Sequence, residues 1–508
     1  MTIKETIEEA KKVGVKDMSW KAWFMIITII SAATVASYYG VNVTMNIDLA
    51  NRVGSLEGML SHTINSTFYT LQKPVSYIIS TVTSGATTYY CMQNGTSGTL
   101  DFWSTNASAV IMASAYANTT IFFKEGNYAI DYLIPVNVSN IHFVGSGWGT
   151  QFNVGANGGF NITGTANLFD IEFSNIYFYG VGNSKYMITS AMANNTRIAH
   201  FTFSNNRVSN FTYAGTIALN LTNLEVSTIK NNYFYDTRTA FIQLCCVNYH
   251  MGNIWISDNV FYLGYHAANE NAVRLTTLAN DGTYGTIYNI WGTNNQYFAP
   301  TTSVTALAWN LTTVDGAMEG VTLTGERTER VQLVWTDGSD TYRIRKVMVT
   351  NCFLDSGVYC AGMKMINLDA YTRSAIVSGN QIQLEDNTSY FFMDNYTADA
   401  AYANRFDGNQ LITSNGALIS PSSLTAVRDN IGFITEAWGI NTTAADGGTQ
   451  AHGLAGTPTF VSITSGNTTF TWCAVNTFAA TTFKYELQTS VLASATGQTV
   501  YWYARYDP

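Results

Sequence analysis

The sequence predicts an all-β chain: a parallel β-helix carried on an N-terminal transmembrane helix with a short helical stalk, and closed by a small C-terminal β-sandwich. Three observations predict it. An Asn-centred pattern returns every 26 to 29 residues, the period of a solenoid. The palette is uncharged, aromatic and Gly-punctuated, with 31 Tyr, 40 Gly and only 12% charged residues. One apolar run near the N-terminus has membrane-spanning length. At 508 residues the chain is too long for one ordinary compact core, so several domains or one elongated domain are expected. With 46% apolar residues, 6 Pro and no Gly period, the chain is neither a disordered regulator nor a collagen. A net charge of -9 without a basic stripe argues against a nucleic-acid partner.

Residues 1–19 read as an amphipathic internal segment. Ile3, Ile7, Ala10 and Val13 fall at helical spacing, with Glu8 and Lys12 as an i,i+4 pair. Residues 20–40 read as the transmembrane helix. Ala22 to Tyr39 carries no charge and spans about 27 Å as a helix. Trp20 and Trp23 flank one end, Tyr38 and Tyr39 the other, as interfacial aromatics do. Lys4, Lys11, Lys12, Lys16 and Lys21 precede or border the run, which places the N-terminus inside and residues 43–508 outside. The competing reading is a cleaved signal peptide ending at Thr34-Val35-Ala36. Residues 41–88 form a stalk, helical in part: Leu49, Val53, Leu56 and Leu60 follow heptad spacing, although Gly54 and Gly58 weaken a helix. An intersubunit stalk and a lone helix packed on its own domain both fit.

Residues 89–440 form the β-helix. The pattern is apolar, two residues, Asn, one residue, apolar, centred on Asn206, Asn232, Asn259, Asn351, Asn380 and Asn409. Looser copies centre on Asn175, Asn295 and Asn430. Runs such as Asn253-Ile-Trp-Ile-Ser-Asp258 alternate apolar and polar, so the repeating unit is strands. Stacked coils place equivalent residues about 4.8 Å apart, so an Asn at a fixed bend bonds its neighbours up and down a ladder. Asn also tolerates the left-handed geometry of a turn. About eleven coils make a rod on the order of 50 Å long.

Residues 99–152 run Thr99-Leu-Asp101-Phe-Trp, then Thr119-Thr-Ile-Phe-Phe-Lys-Glu-Gly126-Asn-Tyr128, then Leu133-Ile-Pro135-Val and Gly145-Ser-Gly147-Trp-Gly149. This resembles the opening of pectate-lyase-like right-handed β-helices, bacteriophage tailspikes among them. Lys124 stands where that pattern has Pro, and its Asp-rich opening is reduced to Asp101. The Gly145–Gly149 turn has neither the G-x-G-x-x-G spacing nor a following Lys-Ser/Thr, so it reads as a coil corner. Residues 441–508 lose the Asn repeat and show short strands with turn punctuation, hence the β-sandwich. Their His452-Gly-Leu and Tyr501-Trp-Tyr-Ala504 phrases resemble the terminal modules of viral tail fibres.

Candidate chemistry is sparse. Glu326, Glu329, Asp337 and Asp340, with Arg327 and Arg330 between them, are the weak catalytic candidates, because paired carboxylates can flank a glycosidic bond. A solvated, mutually paired face is the plainer reading. Trp291, Trp309 and Trp335 are candidates for stacking on sugars or for filling the interior. The six His show no metal-ligand spacing, no Gly-x-Ser-x-Gly elbow occurs, and no cofactor is expected. Of six Cys, Cys352 and Cys360 are the candidates for a bridge across one loop. Fifteen N-x-Ser/Thr sequons are glycosylation candidates: Asn42, Asn65, Asn94, Asn106, Asn118, Asn137, Asn161, Asn194, Asn210, Asn220, Asn310, Asn387, Asn395, Asn441 and Asn467.

The resemblance implies a tailspike or tail fibre, a homotrimer that attaches to a host-surface glycan or glycoprotein. A membrane span implies an enveloped virion, with other tail proteins near the anchor. Few charges and many sequons resemble surface proteins of acid-loving archaea and their spindle-shaped viruses. A membrane-tethered polysaccharide lyase or glycoside hydrolase is the alternative, as is a cellular adhesin or envelope scaffold of the same build.

Overall fold

The computed structural model describes residues 75–506, apart from 248, 264–269, 279–284, 301–305, 358–361, 386–388, 414–417, 433–435, 453, 455–456, 467–469, 480–481 and 490–495. The internal segment 1–19, the transmembrane helix 20–40 and the Leu49–Leu60 heptad lie outside the described residues. Among the described residues no helix is long and apolar enough to cross a membrane.

The chain winds into a parallel β-solenoid of the right-handed type, with three sheets running its length. One coil shows the unit: Thr202–Ser204 in the first sheet, Arg207–Phe211 in the second, Ile217–Thr222 in the third, then Leu224–Lys230 back in the first. The second and third sheets each hold 11 strands. Strand alternation sends every second side chain inward, where like stacks on like: Phe143 on Phe173 at 4.7 Å, and Phe234 on Phe261 at 4.8 Å. Because identical positions repeat along the axis, each coil buries its apolar residues only against its neighbours.

The corner from first to second sheet uses two residues with different tasks. The first adopts left-handed geometry, as in Asn205 (φ 58), Asn231 (φ 56), Asp258 (φ 56) and Asn294 (φ 56). The second points its amide inward and builds the ladder. Asn232 donates from both its backbone N and its Nδ2 to Asn259 Oδ1, at 3.0 and 2.9 Å, and from Nδ2 to Phe203 O at 2.9 Å. This supplies buried corner groups with partners that the sheets do not reach.

Asn206, Asn232, Asn259, Asn380 and Asn409 take the ladder position, and so do Asn295 and Asn430. Asn351 does not. It is the left-handed residue (φ 55), and Cys352 occupies the ladder position, its backbone N donating to Asn380 Oδ1 at 2.9 Å. The apolar frame shifts by one residue here: Val349 and Leu354 point inward, whereas Met348 and Phe353 are on the outer face. A one-residue shift exchanges the faces of a strand, so the same letters carry a different geometry. Asn175 is likewise left-handed (φ 58), with Ile176 beyond it donating to Asn206 Oδ1.

The N-terminal end of the solenoid is closed by an antiparallel meander, β1 (Tyr77–Ser84), β2 (Thr87–Asn94) and β3 (Leu100–Ser104), followed by helix α1 (Ala107–Ser114). Asn106 caps α1, its Oδ1 accepting from Ala109 N at 3.2 Å, and Val110 and Ile111 are buried. The meander and α1 together cover apolar positions of the terminal coil. At the other end Glu436–Ala444 and Phe460–Ser465 flank Gln498–Arg505 in one three-stranded antiparallel sheet. Thr449–Ala451 and Phe470–Phe478 flank Thr482–Thr489 in another. Leu454, Phe483, Tyr485, Leu487, Val500 and Trp502 form a second small core there.

Candidate functional site

The acidic cluster of the sequence is dispersed by the fold. Glu326 is fully buried (0% exposed) and takes the ladder position of its coil. Its Oε1 accepts from Asn295 Nδ2 at 3.0 Å, and its Oε2 accepts from Tyr297 OH at 2.5 Å. Tyr297 OH in turn accepts from Trp309 Nε1 at 2.8 Å. Gly292 makes the room, since a Cβ there would lie 2.5 Å from the Trp309 ring. Burial pushes the Glu326 carboxyl up to about 8, outweighing the donors that favour its charged form. Trp309 is therefore an interior residue with no access to sugar.

Glu329 stands on the outer face of the second sheet, in register between Phe298 and Asp355. Asp337 ends the third-sheet strand Gln332–Asp337 and Asp340 lies just after it, both exposed, and Asp340 pairs with Arg343 at 3.4 Å. Glu326, Glu329 and the Asp337–Asp340 pair therefore lie in three separate places and do not converge on one bond. Arg330 donates to Pro300 O at 3.0 Å, and Arg327 lies over Phe353 at 5.5 Å. Cys352 is a free, buried thiol, and its candidate partner Cys360 lies outside the described residues. Among the described residues no three His, Cys, Asp or Glu groups converge on a metal-sized site. Trp291 stacks on Trp255 at 4.8 Å on the outer face of the first sheet, and Trp335 on the third sheet lies 5.4 Å from Lys364 Nζ.

The surface that does gather binding chemistry is the outer face of the second sheet, which the sequence reading missed. Tyr177, Arg207 and Tyr233 are consecutive in register, and Tyr235 and Tyr262 run beside them on to Phe298. Trp148, 55% exposed in the turn before the Thr150–Val154 strand, leans along the rod to join them. The Arg207 guanidinium lies 4.8 Å from the Tyr177 ring, 5.4 Å from Trp148 and 5.7 Å from Tyr233. Tyr262 continues the stripe, 5.4 Å from Tyr233 and 5.2 Å from Phe298. Desolvation and neighbouring Tyr262 push the Tyr233 phenol up, so it stays a neutral donor.

Aromatic faces suit the C–H faces of sugar rings, and the hydroxyls of Tyr177 and Ser209, bonded at 2.9 Å, suit their edges. Arg207 has no carboxylate partner among the described residues, so its charge is balanced only by ring faces. A signal existed: outward positions follow the ladder residue by one and three, and there Tyr233, Tyr235, Tyr262 and Phe298 recur. A second exposed aromatic surface, Trp438, Ile440, Phe460 and Tyr501, lies on one C-terminal sheet.

No family model matches the chain, and no curated protein matches it. Solved structures similar to it include the tailspike protein of E. coli bacteriophage HK620 in complex with a pentasaccharide. The identity is 11%, over 78% of this chain and 83% of that one, with a TM-score of 0.36. A mutant of the same tailspike with a hexasaccharide matches at 12% identity, over 78% and 83%, with a TM-score of 0.35.

Proposed function

We propose that the chain is an attachment rod of the tailspike kind, which holds a host-surface glycan along the outer face of its second sheet. The observation that carries this reading is Arg207 enclosed by Trp148, Tyr177 and Tyr233, with the stripe extended by Tyr262 to Phe298. Ring faces along the stripe accept successive sugars, and Arg207 selects a sugar bearing a carboxylate or sulfate. Adhesion is favoured over cleavage because Glu326 is interior and Glu329 lies on the second sheet, while of Asp337 and Asp340, which share the third-sheet side, Asp340 is paired with Arg343. The finer reading is a homotrimeric tail fibre of an enveloped, spindle-shaped archaeal virus, with its N-terminus inside and residues 43–508 outside. It rests on the lysines and apolar run of residues 1–40, on the heptad and on the sequons.

The test is to immobilise the full chain, pass purified host envelope glycans over it, and follow both retention and glycan chain length. Retention at unchanged length supports attachment. Shortened glycans would replace the reading with the enzyme alternative, and absence of retention would remove it.

A further inference from the structure

The sequons are not scattered over the rod. Eight of those in the solenoid, counting Asn118 at its first strand, fall on described residues: Asn118, 137, 161, 194, 210, 220, 310 and 395. Six of them belong to the third sheet. Asn161, Asn220 and Asn310 lie within its strands, and Asn137, Asn194 and Asn395 follow the strands Leu133–Val136, Tyr186–Met192 and Tyr390–Asp394. The second sheet has only Asn210, and Asn118 leads into the first.

The three strand sequons share one column. The register runs Asn161–Thr189–Asn220–Gln243–Arg274–Asn310, so all three Asn occupy equivalent outer positions. The hydroxyl residues of the second and third share one further column, which runs Thr222–Cys245–Thr276–Thr312 with Cys245 and Thr276 buried, while Thr163 pairs with Ala191 and Thr222 Oγ1 lies 2.9 Å from Ser190 Oγ. No shared column is required by the sequon itself. Strand alternation turns half of all positions inward, yet each of these Asn points out while Ile162, Leu221 and Leu311 between Asn and Thr are buried. Two coils separate Asn161 from Asn220 and three separate Asn220 from Asn310, about 10 and 14 Å, enough for chains side by side. Asn220 accepts from Gln243 Nε2 and Asn310 from Thr312 Oγ1, both through Oδ1.

The sequons outside the column are differently placed, and Asn395 donates its Nδ2 to Leu368 O at 3.2 Å. Asn210 has φ 63 and donates its Nδ2 to Gly180 O at 2.6 Å. Asn441 donates its Nδ2 to Gln450 Oε1 and Tyr485 OH. Asn106 is the cap of α1, with the Ser108 of its sequon fully buried.

We infer that the third sheet is a dedicated N-glycosylation face, with Asn161, Asn220 and Asn310 carrying a column of glycans. The donor is a lipid-phosphate-linked oligosaccharide presented by the host's oligosaccharyltransferase. The anomeric C–O bond to phosphate breaks, a C–N bond to Asn Nδ2 forms, one amide proton passes to the enzyme's base, and the lipid phosphate leaves. Coating this sheet turns it to solvent. The second sheet, with Arg207, and the first, with the Trp255–Trp291 stack, remain bare for ligand and neighbour.

The test is a site-occupancy map. The full chain is made in a host with N-linked glycosylation, released enzymatically in heavy-oxygen water, and read by peptide mass spectrometry. Asn161, Asn220 and Asn310 are expected at occupancies at least about fivefold above Asn210 and Asn441. Thr222→Val should abolish the Asn220 glycan alone, with the β signal in circular dichroism unchanged. Equal occupancy on the second and third sheets overturns the inference, and so does an unmodified third sheet. The map does not depend on glycan binding at Arg207, so the two readings fail separately.

Discussion

Replacing Glu326 by Gln should flatten the dependence of stability on pH. In the folded chain the Glu326 carboxyl is raised from 4.5 to about 8, chiefly by desolvation. The folded state therefore holds a proton that the unfolded chain releases at lower pH. Its contribution is complete below about 4.5 and is lost progressively as pH rises to about 8. At about 1.4 kcal/mol per pH unit, the interval between 4.5 and about 8 amounts to about 5 kcal/mol. The groups facing Glu326 do not titrate in that interval. Burial raises Tyr297 well above its ordinary range and pushes Cys352 up to about 12, while Asn295 and Trp309 carry no titrating group. Glu326→Gln keeps an acceptor for Asn295 Nδ2 and stays neutral throughout. For a folded part of this size, about 5 kcal/mol corresponds to roughly 5 °C in Tm. Thermal unfolding of both proteins from pH 4 to pH 8 is the assay, and the difference between the two curves is the quantity read. Wild type should lose its advantage over Glu326→Gln as pH rises. Parallel curves would refute the assignment of a neutral, buried acid at this ladder position.

Substitutions at four further positions test the site and the ladder. Arg207→Ala should weaken retention of an acidic glycan by about tenfold or more, and of a neutral one far less, by titration calorimetry; Arg207→Lys should restore it only in part. Gly292→Ala places a Cβ 2.5 Å from Trp309 and 2.7 Å from Leu323, and should cost about 1–3 kcal/mol in urea unfolding. Asn232→Gly removes the Oδ1 that holds Asn206 N at 2.9 Å and should cost about 2 kcal/mol, whereas Asn351→Gly, at φ 55, should be close to neutral.

The solenoid was legible because its constraint is local and repeated. A buried corner needs an amide that can bond both along and across the stack, and Asn at regular intervals announces it. The frame of that corner was less legible. Asn351 matched the pattern letter for letter, yet the inward residues on either side are Val349 and Leu354, one place removed. Glu326 was hidden for the same reason. Nothing in Gly325-Glu326-Arg327 marks a ladder position until Leu323 and Thr328 are seen to be the buried pair. The aromatic stripe was harder to read as a cluster, because coil lengths vary and its offsets count only from a ladder residue already located. Asn232 and Asn259 are 27 residues apart, but Asn259 and Asn295 are 36 apart. Only the register brings Tyr233 and Tyr262 side by side and sets Trp148 against Arg207.

The register also explains how such a rod can hold separate tasks without their interfering. Inward columns are coupled to coils above and below, so Gly292, Trp309 and Glu326 constrain one another: the missing Cβ, the large ring and the buried acid share one volume. Outer columns carry no such constraint. A Tyr, Arg or Asn placed there meets solvent and its two neighbours in the same column, and its replacement alters the stack little. Aromatic rings on one sheet and sequons on another are then independent of each other. The physical signature of that independence is the contrast already drawn in the side chains. Interior polar groups such as Glu326 are bonded on every side, whereas Arg207 on the outer face has rings around it and no carboxylate among the described residues. A fully buried charge must be neutralised by its neighbours for the coil to form, whereas the half-buried Arg207 keeps an Nε with no hydrogen-bond partner.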